Sequence, residues 1–255
     1  MTTRTVQGGW FRVHHPRPAA TTRLFCFPHA GGSASAFWDW PRFLPDSVEL
    51  VAVQYPGRQD RHGEPLPADL TTLAEQIARV VAGRLDRPTA FFGHSMGATV
   101  AFEVARRLEP RYPSPLGRLF VSARKPPSTP PGPLEFRTDE QVMTYIRNLG
   151  GAGAALLEDE DLRELTLPML RADFQLVERY RYTAGAPVTC PITTIGGDAD
   201  PTFTETDALG WKAHTTAGFD SHVLPGGHFY TETAAPQLVH LLADRLGSLV
   251  PRQRA

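Results

Sequence analysis

Short apolar runs alternate with longer stretches of helical period along this chain of 255 residues. Six runs read as strands: Leu24-Phe25-Cys26-Phe27, Val48 to Val53, Thr89 to Phe92, Leu119-Phe120-Val121, Ile192 to Ile195 and His222-Val223-Leu224. Most are bounded by Gly or Pro, and six is a lower bound. Between them Leu70, Leu73, Ile77, Val80, Val81 and Leu85 recur at helical spacing, with Thr72 and Glu75 spelling a capping box if the helix starts there. Ala98 to Leu108 reads similarly. So does Pro236 to Leu246, which carries a proline in its first turn and Leu238, Leu241 and Leu242 on one face. This alternation predicts an α/β fold, a mainly parallel sheet flanked by helices.

The alternation stops between Lys125 and Gly185, where no strand run appears. A proline-rich stretch, Pro126 to Pro133, leads into two helical segments. The first opens on the capping-box spelling Thr138-Asp139-Glu140-Gln141, carries Val142, Met143, Ile146 and Leu149, and stops at Gly150-Gly151. The second runs from about Asp159 to Tyr182, with Pro168 kinking or dividing it. Its Leu162, Leu165, Met169, Leu170, Phe174 and Val177 are too many apolar groups for one solvated helix. Residues 125–185 are therefore expected to be a helical lid inserted within a single domain spanning 1–255, the alternative being that these groups pack on the domain's own core.

Composition narrows the class. Hydrophobic residues make up 41% and charged residues 21%, which excludes disorder as the main state. Basic and acidic residues number 26 and 27, so no global field draws the chain to nucleic acid or to an anionic membrane. The two cysteines, Cys26 and Cys190, lie in apolar stretches and cannot build a disulfide framework, which suits a reducing, cytoplasmic setting. The first twenty residues hold no signal-peptide core, and no uncharged apolar run reaches the ~18 residues of a spanning helix. A soluble intracellular monomer is expected.

Gly93-His94-Ser95-Met96-Gly97 carries the chemistry. The pattern Gly-x-Ser-x-Gly arises by chance in about one chain of this length in ten at ordinary Gly and Ser usage. Here it follows the strand Ala90-Phe91-Phe92 and precedes the helix Ala98 to Leu108, the context of a nucleophile elbow. Such a turn strains the serine backbone, and its glycines permit the close approach. A serine hydroxyl also needs a base, and the base an acid to fix its tautomer. Of the nine histidines, His14, His15, His29 and His62 precede the serine, His94 abuts it, His214 and His240 lie in helical segments, and His222 lies in a strand run. His228 remains, delivered by the loop Pro225-Gly226-Gly227. The acid is expected on Gly196-Gly197-Asp198-Ala199-Asp200-Pro201, where spacing does not separate Asp198 from Asp200. One would bind His228 while the other caps the loop or the next helix. Asp207 and Asp220 read as surface groups.

An oxyanion hole needs two N–H donors. Met96, after the nucleophile, is one, and Ala30 in the loop Pro28-His29-Ala30-Gly31-Gly32-Ser33 is the other. That loop lacks the spacing and lysine of a phosphate cradle. No cluster has metal-ligand spacing, and neither metal nor cofactor is expected for acyl transfer through an acyl-serine.

Read in order, Pro28-His29-Ala30-Gly31-Gly32, Gln54-Tyr55-Pro56-Gly57-Arg58, Gly93 to Gly97, Gly197-Asp198-Ala199-Asp200-Pro201 and Gly226-Gly227-His228-Phe229-Tyr230 resemble the type II thioesterases. These are free-standing α/β-hydrolases that serve polyketide and nonribosomal peptide synthases. The resemblance implies the α/β-hydrolase fold, a triad of Ser95, Asp200 and His228, and Ala30 and Met96 as oxyanion donors. It also implies substrates that are acyl groups carried on the phosphopantetheine of an acyl or peptidyl carrier protein, with aberrant units removed by water. Carrier proteins are generally acidic, so a basic rim is expected, and Arg58, Arg61, Arg124 and Lys125 are placed for it. Rival readings are a serine esterase acting on oxygen esters, a releasing domain that cyclises its product, and a non-catalytic ligand-binding protein on the same scaffold.

Overall fold

A computed structural model of the chain describes residues 4–6, 9–112, 115–130, 136 and 138–247. Pro131 to Pro133 of the proline-rich stretch, and both ends of the 1–255 span, lie outside the described residues.

Among the described residues eight strands form one sheet: β1 (Arg4–Val6), β2 (Phe11–Val13), β3 (Thr22–Phe27), β4 (Val48–Val53), β5 (Thr89–His94), β6 (Arg118–Ser122), β7 (Ile192–Gly197) and β8 (Phe219–Leu224). Their order is β1-β2-β4-β3-β5-β6-β7-β8. β3 to β8 are mutually parallel, whereas β1 and β2 run antiparallel at one edge. All six expected strands are present. The edge pair was not anticipated, because each strand is three residues long and the β2 sequence Phe-Arg-Val offers little apolar run.

Both faces of the parallel strands are covered, so they read as continuous apolar runs rather than as alternation. The pleat still divides them. Phe25, Phe27, Val51 and Phe91 pack with α1 (Leu70–Ala82) and α2 (Met96–Leu108) on one face. Leu24, Cys26, Leu50 and Phe92 face Trp40 and the C-terminal helix on the other. Both cysteines are free and buried. The cap of α1 differs from expectation. Asp69, in extended backbone, accepts the Thr72 N–H at 2.7 Å, so the helix begins one turn before Thr72 could cap it.

Between β6 and β7 lie α3 (Asp139–Leu149), α4 (Ala152–Leu156) and α5 (Glu160–Arg179). Thr138 and Gln141 form the expected capping box, and Gly150 ends α3. Pro168 does not divide the second segment, which runs as one helix of 20 residues. The short α4 was not anticipated. Val142, Ile146, Leu157, Leu167, Leu170 and Phe174 make a small core of their own, while Leu176, Val177 and Tyr180 join the α1–α2 side of the main core. Leu162 and Leu165 do not need the cover expected for them. They stay exposed, at 41% and 77%. The chain closes with α6 (Glu205–Gly210), α7 (Tyr230–Thr233) and α8 (Ala235–Gly247). Among the described residues no helix is long and apolar enough to cross a membrane.

β3 is flanked by β4 on one side and β5 on the other, so the strand order reverses there. Chains leaving the carboxyl ends of β3 and β5 diverge and leave a crevice, the usual ligand position in such sheets. The Pro28 to Ser33 loop and Ser95 both start from that crevice.

Candidate active site

Ser95 stands between β5 and α2 with φ 54° and ψ −119°, a conformation few non-glycine residues adopt. Crowding imposes it. A Cβ on Gly93 would strike the backbone of Gly97 and Ala98, and a Cβ on Gly97 would strike the carbonyl oxygens of Phe27 and Pro28. Only glycines let α2 start this close to both strands. The Ser95 N–H is held by the Ser122 carbonyl at 2.8 Å, and its half-buried side chain lines a cavity.

Ser95 Oγ lies 3.1 Å from His228 Nε2, and His228 Nδ1 lies 2.8 Å from Asp200 Oδ2. Of the two aspartates that spacing could not separate, Asp200 thus meets the imidazole. Asp198 is exposed and accepts the Gly226 N–H at 2.9 Å, pinning the loop that carries His228. Burial disfavours the Asp200 carboxylate, but hydrogen bonds from His228 and Thr202 outweigh this and hold its pKa below the usual range. Thr202 was missed by sequence reasoning. Its N–H and its hydroxyl both donate to Asp200 Oδ1 at 2.8 Å, leaving Oδ2 for the histidine. The local signal was present, because an aspartate commonly accepts from backbone two residues on.

His29 and His94 meet edge to face with ring centroids 5.8 Å apart, and the His94 ring is 5.2 Å from His228. Burial pushes His29 down to about 4 and His94 well below its ordinary value, each aided by the neighbouring His228. Both therefore stay neutral near pH 7. His94 is held elsewhere: its Nδ1 meets Ser122 Oγ at 2.8 Å, which in turn contacts the Tyr230 hydroxyl. His222 pairs with Asp220, and His214 with the Ser128 hydroxyl.

The N-terminus of α2 abuts the Pro28–Ala30 loop, as the Gly97 contacts require. The N–H groups of Met96 and Ala30 thus belong to backbone segments on the two sides of the crevice. Ser95 and His228 open into a cavity of about 290 Å³ walled by Arg124 to Pro127, Tyr145, Val177 and Tyr180. The segment after β6, residues 123–130, supplies most of that wall, with Tyr145 of α3, Val177 of α5 and Tyr180 just beyond α5.

The expected basic rim is largely not there. Arg58 is buried and paired with Asp173 of α5. Arg61 is also buried, donating to the Gln54 carbonyl at 2.7 Å and stacking on Trp10. Both turn inward onto these partners, which chain position alone does not reveal. Arg124 lines the cavity with Nε on Thr99 Oγ1, and Lys125 alone of the four is exposed. Nor are the two spare aspartates plain surface groups. Asp207 completes a capping box with Thr204, and half-buried Asp220 gathers Thr193, Arg118, His222 and Arg245.

The profile of the Thioesterase domain family matches residues 22–246. Thioesterase PikA5 of Streptomyces venezuelae is 40% identical over 245 residues, covering 94% of this chain and 86% of that protein. Gramicidin S biosynthesis protein GrsT of Aneurinibacillus migulanus is 35% identical, covering 93% of each. The solved structure of the type II thioesterase BorB from the borrelidin biosynthetic cluster superposes with a TM-score of 0.85 at 40% identity, covering 93% of this chain and 97% of that one.

Proposed function

We propose, from the premise that this chain belongs to the thioesterase domain family and is a serine thioester hydrolase with the α/β-hydrolase fold, that it clears acyl groups from the phosphopantetheine arm of carrier proteins in a polyketide or nonribosomal peptide pathway. The observation that carries the reading is the Ser95–His228–Asp200 chain, 3.1 and 2.8 Å, opening into a cavity walled largely by residues 123–130 together with Tyr145, Val177 and Tyr180. The names of its relatives supply the pathway class.

In the proposed mechanism His228 Nε2 takes the hydroxyl proton as Ser95 Oγ attacks the thioester carbonyl carbon. The carbonyl oxygen becomes an oxyanion and accepts from the Ala30 and Met96 N–H groups, aided by the positive end of α2. Collapse breaks the C–S bond, and His228 returns its proton to the departing thiol. Water then enters, gives a proton to His228 and attacks the acyl-serine, and the second collapse breaks the acyl–Oγ bond as His228 returns that proton to Ser95 Oγ, releasing a carboxylic acid. Asp200 holds the Nδ1 proton so that Nε2 is the free base, and stabilises the imidazolium. The reaction calls on the partner's phosphopantetheine as part of the substrate and on no cofactor of its own. Residues 125–185 act as the lid that shapes the acyl slot and lets the arm enter.

Intact-protein mass spectrometry of an acyl-phosphopantetheinyl carrier protein tests this. Wild-type enzyme should remove the acyl mass and leave free-thiol carrier, while Ser95→Ala should leave it in place. Persistence of the acyl mass alongside cleavage of simple oxygen esters would overturn the carrier-directed reading.

A further inference from the structure

The stretch Gln54-Tyr55-Pro56-Gly57-Arg58 takes no part in the triad, yet its polar side chains converge on the loop that follows β3. Gln54 Oε1 accepts the Ala34 N–H at 2.8 Å, and its Nε2 donates to the Arg58 carbonyl at 3.1 Å. The buried Tyr55 hydroxyl donates to the Pro28 carbonyl at 3.1 Å. The Arg58 guanidinium pairs with Asp173 of α5, and the same Asp173 oxygen accepts the Gly31 N–H at 2.7 Å. The two charged side chains are 2% and 1% exposed. Gly31 has φ 76°, and a Cβ there would strike Leu170, one turn before Asp173. The loop is thus fastened at Pro28, Gly31 and Ala34, and the middle anchor comes from the inserted helix.

We infer that Asp173, held in place by Arg58, is a positioning residue that fixes the Ala30–Gly31 peptide and so keeps the Ala30 N–H aimed at the oxyanion, making catalysis conditional on the docking of α5. This rests on the assignment of Ala30 as an oxyanion donor above. With Pro28 and Gly31 both anchored, the peptide between His29 and Ala30 has little rotational freedom. Preorganised donors are effective because they do not reorient as charge develops. If α5 lifts, Gly31 loses its acceptor, and Arg58 is left as a buried charge without its partner, so the open state is strongly disfavoured without substrate. The arrangement links the segment that admits the arm to the backbone that stabilises the transition state.

The test compares wild type, Asp173→Asn and Arg58→Lys on a small acyl thioester. It also measures inhibition by a trifluoromethyl ketone that adds to Ser95, inhibition by the matching unreactive amide, and hydrogen exchange at the Gly31 amide. Asp173→Asn should lower kcat about 10- to 100-fold, a part of the ~10²–10³ lost when a donor is removed outright. KM and amide binding should stay within threefold, ketone inhibition should weaken in step with kcat, and Gly31, bonded to a neutral amide oxygen in place of a carboxylate, should lose part of its protection. Arg58→Lys, which keeps a cation beside the carboxylate, should retain most activity. An unchanged kcat, or a raised KM with ketone inhibition unaltered, would overturn the inference, as would a Gly31 amide equally protected in wild type and variant. If Asp173→Asn fails to fold, Asp173→Glu keeps the charge, displaces it by one methylene and is judged by the same split. Failure of the functional reading itself is seen separately, as absence of Ser95-dependent turnover in wild type, while Gly31 exchange still judges the anchor.

Discussion

Replacing Asp200 by asparagine tests the site most sharply, because the structure dictates how the new amide must lie. Oδ1 of Asp200 accepts from both the N–H and the hydroxyl of Thr202, so the asparagine oxygen is held there and the NH₂ is turned toward His228 Nδ1. Nδ1 must then accept, which places the imidazole proton on Nε2, against Ser95 Oγ, where a free lone pair is required. The charge is lost as well. Imidazolium and carboxylate in contact at 2.8 Å, with effective charge centres out to about 4 Å, attract by about 4–6 kcal/mol at an effective dielectric constant near 20. At 1.36 kcal/mol per decade that corresponds to a ~10³- to 10⁴-fold loss of kcat. Steady-state kinetics on an acyl thioester should show this fall with KM within threefold, and Asp198→Asn should cost far less, since the Asp198 carboxylate accepts from the Gly226 N–H of the His228 loop and not from the imidazole. Activity of Asp200→Asn within tenfold of wild type, or an equal loss in Asp198→Asn, would refute the reasoning.

Gly97→Ala forces a Cβ into the Phe27 and Pro28 carbonyls. Overpacking of this kind costs ~1–3 kcal/mol or more, and a displacement near 1 Å costs ~10²-fold in rate, both readable by urea titration and kcat. Pro168→Ala should stabilise the protein by about 1–3 kcal/mol, since an exposed proline inside α5 forfeits a helical hydrogen bond, and the urea midpoint reports it. Asp220, held down to about 2 against burial by His222, Thr193, Arg245 and Arg118, is depressed in the folded state. Its stabilisation of about 1–2 kcal/mol, discounted for partial exposure, is present above about pH 4 and lost as pH falls toward 2. The melting temperature of Asp220→Asn should therefore lie below wild type at pH 7 and converge with it in acid.

How far the site was legible follows from the range of each signal. The elbow is local: strand, Gly-x-Ser-x-Gly and helix adjoin in sequence, and the crowding that demands glycine at 93 and 97 arises within that one turn and its neighbouring strand. His228 emerged by exclusion, because its competitors sat before the serine or inside regular elements. Thr202 was visible as a donor two residues after an aspartate, though not as a partner of the triad. The edge strands β1 and β2 were not legible, since three residues carry no period and their pairing is decided by β4. Arg58 and Arg61 misled, because an arginine after a strand looks the same in sequence whether it faces solvent or a carboxylate 115 residues away.

The sequence by itself determined the parallel core, the capped helix beginning at Asp139, the Gly-x-Ser-x-Gly turn between strand and helix, and which histidine faces Ser95, because each is written in periodicity, caps or chain order. Only the tertiary structure decided between Asp198 and Asp200 on physical grounds, buried Arg58 against Asp173, and seated Gly31 beneath α5. Those outcomes depend on which distant segments meet in the crevice beside β3, where burial makes an unpaired charge or donor costly enough to select one partner.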